Sequence, residues 1–163
     1  MEPNCLLVRY GESFLKGKNR STFIKKLITN LSAITGQKNA RYFQGRIVLP
    51  YFPNHHSIRR VFGLASYSPA VRVDKDIEQI QNSAVTLLQN RKGTFKLETR
   101  RSDKTFPLTS QEINKKVGMY IEAQLPLEFS FNAPEITLHL EINQEGAYLF
   151  TEIVPCFGGF PTG

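Results

Sequence analysis

Cysteine and histidine are scarce in this chain, with two and three residues among 163. Cys5 and Cys156 make no spaced pair and the histidines add no ligand pattern, which argues against a zinc site or a disulfide framework. A bridge between the two cysteines is not expected in a reducing compartment. No apolar run approaches the roughly 20 residues of a membrane span. The opening "MEPNCLLVRYGE" lacks the basic-then-apolar order of a secretory signal. The chain is therefore read as soluble and cytoplasmic, with no membrane partner. Internal repeats and low-complexity tracts are absent, as are paired-carboxylate motifs and a nucleophile elbow. His55 and His56 stand among Arg59 and Arg60, where a surface role beside phosphate is the expectation.

The most informative shortage is of negative charge. Residues 1–73 contain only Glu2 and Glu12 against twelve Lys/Arg, an excess of ten. Residues 74–163 reverse the balance, with nine Lys/Arg against twelve Asp/Glu. An excess of that size in so short a stretch points to a polyanionic partner, and nucleic acid is the usual one.

The element order changes near the same place. "CLLVRY" reads as a buried strand. "NRSTFIKKLITNLSAI" reads as a helix with Phe23, Ile24, Leu27, Ile28, Leu31 and Ile34 on one stripe, Asn19 as its cap and Gly36 as its stop. "ARYFQGRIVLPY" predicts two strands about a Gln44-Gly45 turn, "HHSIRRVFG" a short helix, and "ASYSPAVRV" another strand. This β-α-β-β-α-β order is that of the split βαβ, ferredoxin-like arrangement. Beyond Asp74 the pattern becomes α-β-α-β-β. Asp76 caps a helix through Asn90, with Ile77, Ile80, Ala84 and Leu87 inward. "GTFKLETRR" alternates as a strand. Thr109-x-x-Glu112 opens a helix as a capping box, with Ile113, Val117, Tyr120 and Ile121 as its core stripe. "EITLHLEIN" and "AYLFTEIV" follow as strands about Gln144-Glu145-Gly146. The fold class is α+β, with domains at 1–73 and 74–154. Residues 155–163, "PCFGGFPTG", read as a Gly-rich linker toward an absent domain.

Two basic clusters stand out. In "RYGESFLKGKNR", Lys16, Lys18 and Arg20 surround Gly17 and the entrance to a helix, whose unpaired N–H groups attract phosphate. The spacing is not that of a Walker A loop, because Asn19 follows Gly17-Lys18. The residues alone leave a phosphate site and a merely solvated βα loop equally open. In "RKGTFKLETRRSDKTFPLTSQEINKKVG", Lys96 and Arg100 share a strand face. Arg101 and Lys104 project toward a helix mouth at Ser110, and Lys115 and Lys116 lie inside that helix. An ion pair of Arg100 with Glu98 or Asp103 is the competing role for that arginine. Capping competes with phosphate binding for Ser110, and Phe106 reads as a packing residue.

These stretches, with "RIVLP", "VFGLASYSPA" and "FGGFPTG" in the same order, closely resemble the N-terminal part of the tRNA 4-thiouridine sulfurtransferases, also known as thiamine biosynthesis proteins. The resemblance covers essentially the whole chain. It implies a ferredoxin-like domain followed by a THUMP domain, which together grip the acceptor end of tRNA. In that family a pyrophosphatase-loop domain then adenylates a uridine with ATP and Mg²⁺ and transfers persulfide sulfur, with a cysteine desulfurase as donor. The family's S-G-G-x-D-S loop does not occur in residues 1–163, so the chain alone is not expected to be catalytic. Cys156 stands where the family has glycine, and Phe160 where it has leucine. The expected function is tRNA binding, with no catalytic residue in this chain. The contacts are assigned to Lys16, Lys18, Arg20, Lys96, Arg100, Arg101, Lys104, Ser110, Lys115 and Lys116, converging on one surface. The competing readings are a free-standing THUMP adaptor for another tRNA-modifying enzyme, a small enzyme using Cys156 as sulfur carrier, and a protein–protein module. A homodimer is left open.

Overall fold

The computed structural model describes residues 2–11 and 20–157, which fall into two compact units. One comprises Pro3–Pro69 and the chain from Glu152 onward; the other comprises Ala70–Thr151. The expected Asn19 cap and the loop carrying Lys16 and Lys18 lie outside the described residues.

The first unit contains strand β1 (Cys5–Tyr10), helix α1 (Arg20–Thr35), β2 (Arg41–Phe43), β3 (Arg46–Pro50), a 3-10 helix (His55–Arg60) and the first part of β4 (Leu64–Val73). Its strand order is β2-β3-β1-β4, the split βαβ order read from the sequence, with the 3-10 helix in place of a second α-helix. Ile24, Leu27 and Leu31 of α1 are buried against Leu6, Val8, Ile47, Leu49 and Tyr67. Phe23 and Ile28 flank that stripe half-buried, while Ile34 at its far end is exposed. Gly36 ends the helix at φ +72°, its N–H bonded to the Ser32 carbonyl, as a C-terminal glycine should. Gln44 (φ 47°) and Gly45 (φ 86°) make the left-handed turn that sets the β2–β3 register.

The end of the expected last strand of the second domain and the start of the expected linker contribute to this unit. Val154–Pro155 forms β9 against β4, pairing Tyr67 with Val154 and Ser66 with Pro155. The Cys156 and Phe157 amides donate to the carbonyls of Ala65 and Arg59. A two-residue strand has no periodicity to announce it.

The second unit contains the end of β4, α2 (Ile77–Leu88), β5 (Gly93–Arg101), α3 (Ser110–Gln124), β6 (Leu127–Phe129), β7 (Ile136–Ile142) and β8 (Ala147–Phe150). The strand order is β4-β8-β7-β5-β6. β5 runs parallel to β6 and β7, and β8 is antiparallel to β7. β6 adds one short strand to the expected α-β-α-β-β order. The helix starts are those read from the sequence. The Asp76 carboxylate accepts the Gln79 N–H at 3.1 Å. The Thr109 hydroxyl accepts the Glu112 N–H at 3.2 Å, while the Thr109 N–H donates to Glu112 at 2.9 Å. Ile80, Ala84 and Leu88 of α2 and Ile113, Val117 and Ile121 of α3 form a core with Phe95, Leu138, Leu140 and Ile142. Leu87 and Ile77 pack at its margin, and half-buried Tyr120 bonds Asn82 at 2.9 Å instead of entering the core.

No helix among the described residues is long and apolar enough to cross a membrane.

Candidate nucleic-acid interface

The strand alternation of β5 sorts the basic residues of the second unit. Phe95 and Leu97 are buried in the core with α3, and the Thr99 hydroxyl donates to Asn114 of α3 at 2.5 Å. Odd-numbered side chains of β5 therefore face the helices, and Lys96, Glu98 and Arg100 face the other way. Lys96 is paired with Glu98 at 3.0 Å, and His139 Nδ1 lies 3.6 Å from the same carboxylate. Arg100 is exposed, and its guanidinium pairs with neither Glu98 nor Asp103.

Arg101 lies on the helix side and is half-buried. Its Nη1 donates to the carbonyls of Asp103 (3.1 Å) and Phe106 (3.4 Å). Asp103, only 2% exposed, is the hub of the same loop. It accepts from Lys75 Nζ at 2.8 Å, from the Thr105 hydroxyl at 2.6 Å and from the Thr105 N–H at 3.0 Å. Phe106 is buried, as its packing role requires. Most of the "RRSDKTF" stretch therefore builds a rigid loop before α3, while Lys104 is left exposed at its tip.

The Lys75 hydrogen bond, followed by the Thr105 hydroxyl and amide, holds the Asp103 carboxyl down at about 2 from its ordinary 3.8. The folded state favours this carboxylate, so its stabilisation is complete above pH 3.8 and fades as pH falls toward 2. Urea unfolding should therefore show a stability gap between wild type and Asp103→Asn that is widest near about pH 5 and narrows by about pH 2.5. A gap constant across that interval would refute the assignment.

Lys115 and Lys116 are exposed on α3, and Ser110 begins the helix half-buried. Lys115 joins Gln111, Asn114 and Glu122 around a groove of about 600 Å³ with an apolar floor of Leu97, Gly118 and Phe129. Its lips are Met119 and Phe131, 61% and 79% exposed. Phe131 stands edge-on to Phe129 at 4.7 Å. These lip residues carried no signal in the sequence, since Phe131 sits in the irregular stretch "SFNAP" and Met119 falls outside the helix's core stripe.

In the first unit, Arg20 is the one expected phosphate ligand within the described residues. Its Nη2 donates to the hydroxyls of Tyr10 (3.3 Å) and Tyr42 (3.2 Å). His55 Nδ1 meets the Tyr67 hydroxyl at 2.8 Å, which engages one of its two ring nitrogens, and the neighbouring His56 is exposed. Burial, with His56 alongside, lowers the His55 pKa. The Cys156 thiol is pushed up to about 11 by burial, only partly offset by Arg59 and Arg9. The thiolate is the reactive form, so this environment opposes a sulfur-carrier role. Among the described residues no group of three or more His, Cys, Asp and Glu could hold a metal ion.

Comparison with known proteins adds three findings. The ThiI ferredoxin-like domain model matches residues 5–68, and the THUMP domain model matches residues 74–152. A probable tRNA sulfurtransferase of Mycoplasmopsis agalactiae is 39% identical over 160 residues, covering 97% of this chain and 42% of that protein. One of Natranaerobius thermophilus is 37% identical over 179 residues, covering 98% and 43%. The chain thus spans less than half the length of these relatives. Among solved structures, PH1313 from Pyrococcus horikoshii Ot3 superposes with a TM-score of 0.83 at 32% identity, over 98% of this chain and 57% of that one. A 4-thiouridine synthetase–RNA complex with bound ATP also gives 0.83, at 30% identity, over 99% and 44%.

Proposed function

Because the chain belongs to the tRNA sulfurtransferase family, whose N-terminal ferredoxin-like and THUMP domains it comprises, we propose that it binds tRNA at the acceptor end for 4-thiouridine formation. The observation that carries this reading is the α3 side of the THUMP unit. There exposed Lys115 lines an apolar groove with an exposed aromatic lip, Lys116 is exposed on the same helix, and Lys104 is exposed at the tip of the loop before it. Lysines on a rigid loop and helix supply phosphate contacts that fix register without reading sequence. An aromatic ring beside an apolar floor suits an unstacked base, as at a single-stranded RNA end. Ser110, at the helix start, extends the phosphate-binding set, whereas Arg100 faces the other side of the sheet and lies off the α3 surface, so the expected convergence does not include it. Lys96 is already paired with Glu98 and contributes less, and Arg101 contributes by shaping the loop. Lys16, Lys18 and Arg20 provide the first unit's share.

Adenylation and sulfur transfer belong in this reading to a pyrophosphatase-loop domain, with ATP and Mg²⁺, on the same or another chain. The Asp103 and Arg101 hydrogen bonds within the unit hold the loop in place, which limits the ordering entropy that opposes binding.

Filter-binding titration of the chain against tRNA and an acceptor-stem minihelix tests the proposal. The expected result is comparable affinity for both, with log K falling against log salt at a slope of about −4 to −6, as for five to seven phosphate contacts. Absence of binding at low salt would overturn it and favour a protein–protein module.

A further inference from the structure

The first unit carries a feature that its basic composition does not account for. Arg20, an exposed side chain at the start of α1, is held by two phenols. An exposed arginine ordinarily samples many rotamers, and this one is fixed from both sides of Nη2. Tyr10 is 6% exposed and packs edge-on against Phe23, with ring centroids 6.4 Å apart. Tyr42 is 37% exposed on the short strand β2, its ring centroid 6.3 Å from that of Tyr10. Its place opposite Ile47 is set by the Gln44-Gly45 turn.

We infer that Arg20 and Tyr42 form a preset site for one phosphodiester of the bound RNA, with Tyr10 as a positioning residue. The donors decide the chemistry. Both hydrogen bonds use Nη2, so Nε and Nη1 have no partner among the described residues. Each phenol accepts from Arg20 and keeps its own proton. Burial, with the Tyr42 phenol alongside, raises the Tyr10 pKa, so Tyr10 keeps its proton. Tyr10 is buried, while the Tyr42 hydroxyl, on the more exposed ring, accepts from Arg20 and has no acceptor for its own proton among the described residues, so it can donate outward. A fixed guanidinium beside an outward phenolic O–H offers charge and donors without an acceptor facing the ligand, which matches a phosphate oxygen.

The site rests on the tRNA-binding reading, and the test separates the two. Wild-type chain binding tRNA in a salt-series titration supports that reading; no wild-type binding ends both. Arg20→Gln is expected to weaken binding about fivefold and to reduce the salt slope by about one. Tyr42→Phe is expected to weaken binding about threefold to fivefold with the slope nearly kept, since it removes a donor and not a charge. The double variant should lose no more than about tenfold, short of the product of the single losses, because the two groups hold one ligand. Arg20→Lys should restore the slope without restoring sensitivity to Tyr42→Phe. Tyr10→Phe should weaken binding less than Tyr42→Phe and only while Arg20 is present. Wild-type affinity in Tyr42→Phe, or losses that multiply in the double variant, would overturn the site. If Tyr42→Phe is partly unfolded during the titration, the Arg20→Gln slope decides alone, and an unchanged slope there overturns the site.

Discussion

Reversing Lys104, Lys115 and Lys116 together to glutamate is expected to cost at least about a hundredfold in tRNA affinity at 0.15 M salt. Each phosphate contact contributes about 0.7 log unit there, from a slope of about −0.9 per contact measured against about 1 M salt. Three lost contacts make about two orders of magnitude, and the introduced repulsion adds to that. All three side chains are exposed, so the thermal midpoint should stay close to wild type. Arg101 supplies the contrast. Its guanidinium is bonded to the Asp103 and Phe106 carbonyls, so Arg101→Gln should lower stability and leave the salt slope unchanged. Filter binding and thermal unfolding on the same preparations separate the two effects. A triple variant that binds within about threefold of wild type would show that RNA does not approach α3.

Phe95→Ala is expected to destabilise the THUMP unit by about 3–5 kcal/mol. Phe95 is fully buried, sits on β5 between β6 and β7, and meets Phe129 edge-on at 5.8 Å. Removing it deletes a large apolar surface and leaves a cavity that the paired backbones cannot close. In a unit of this size that is a fall of about 15–30 °C in thermal midpoint, enough to approach the whole of a domain's usual stability of about 5–15 kcal/mol. Calorimetry measures it. A fall of less than about 5 °C would mean that the core repacks around the vacancy.

Much of the fold was legible because its signals are local. The capping box at Thr109, the Asp76 cap, the Gln44-Gly45 turn and the stripes of α1 and α3 each depend on residues within one or two turns of one another. The alternation in β5 was equally plain, and it alone implies that Arg100 and Arg101 face opposite ways. What the pattern could not supply was their fate. Whether Arg101 meets a phosphate or two backbone carbonyls depends on where the loop after it folds. That loop is organised by Lys75, 28 residues upstream of Asp103. Tyr42 was missed because a three-residue strand has too little length to show a period, and Phe131 because turn residues surround it.

By itself the sequence determined the charge asymmetry, the two-domain order, the starts of α2 and α3 and the family motifs, since all of these are written in composition and short-range spacing. Only the tertiary structure decided which cations remain available. It paired Lys96 with Glu98, turned Arg101 inward, pinned Arg20 between two phenols and left Lys104, Lys115 and Lys116 in solvent, Lys115 beside an apolar groove. Availability is a property of three-dimensional neighbours. A charge is free for a ligand only if no carboxylate, carbonyl or hydroxyl from a distant part of the chain reaches it first.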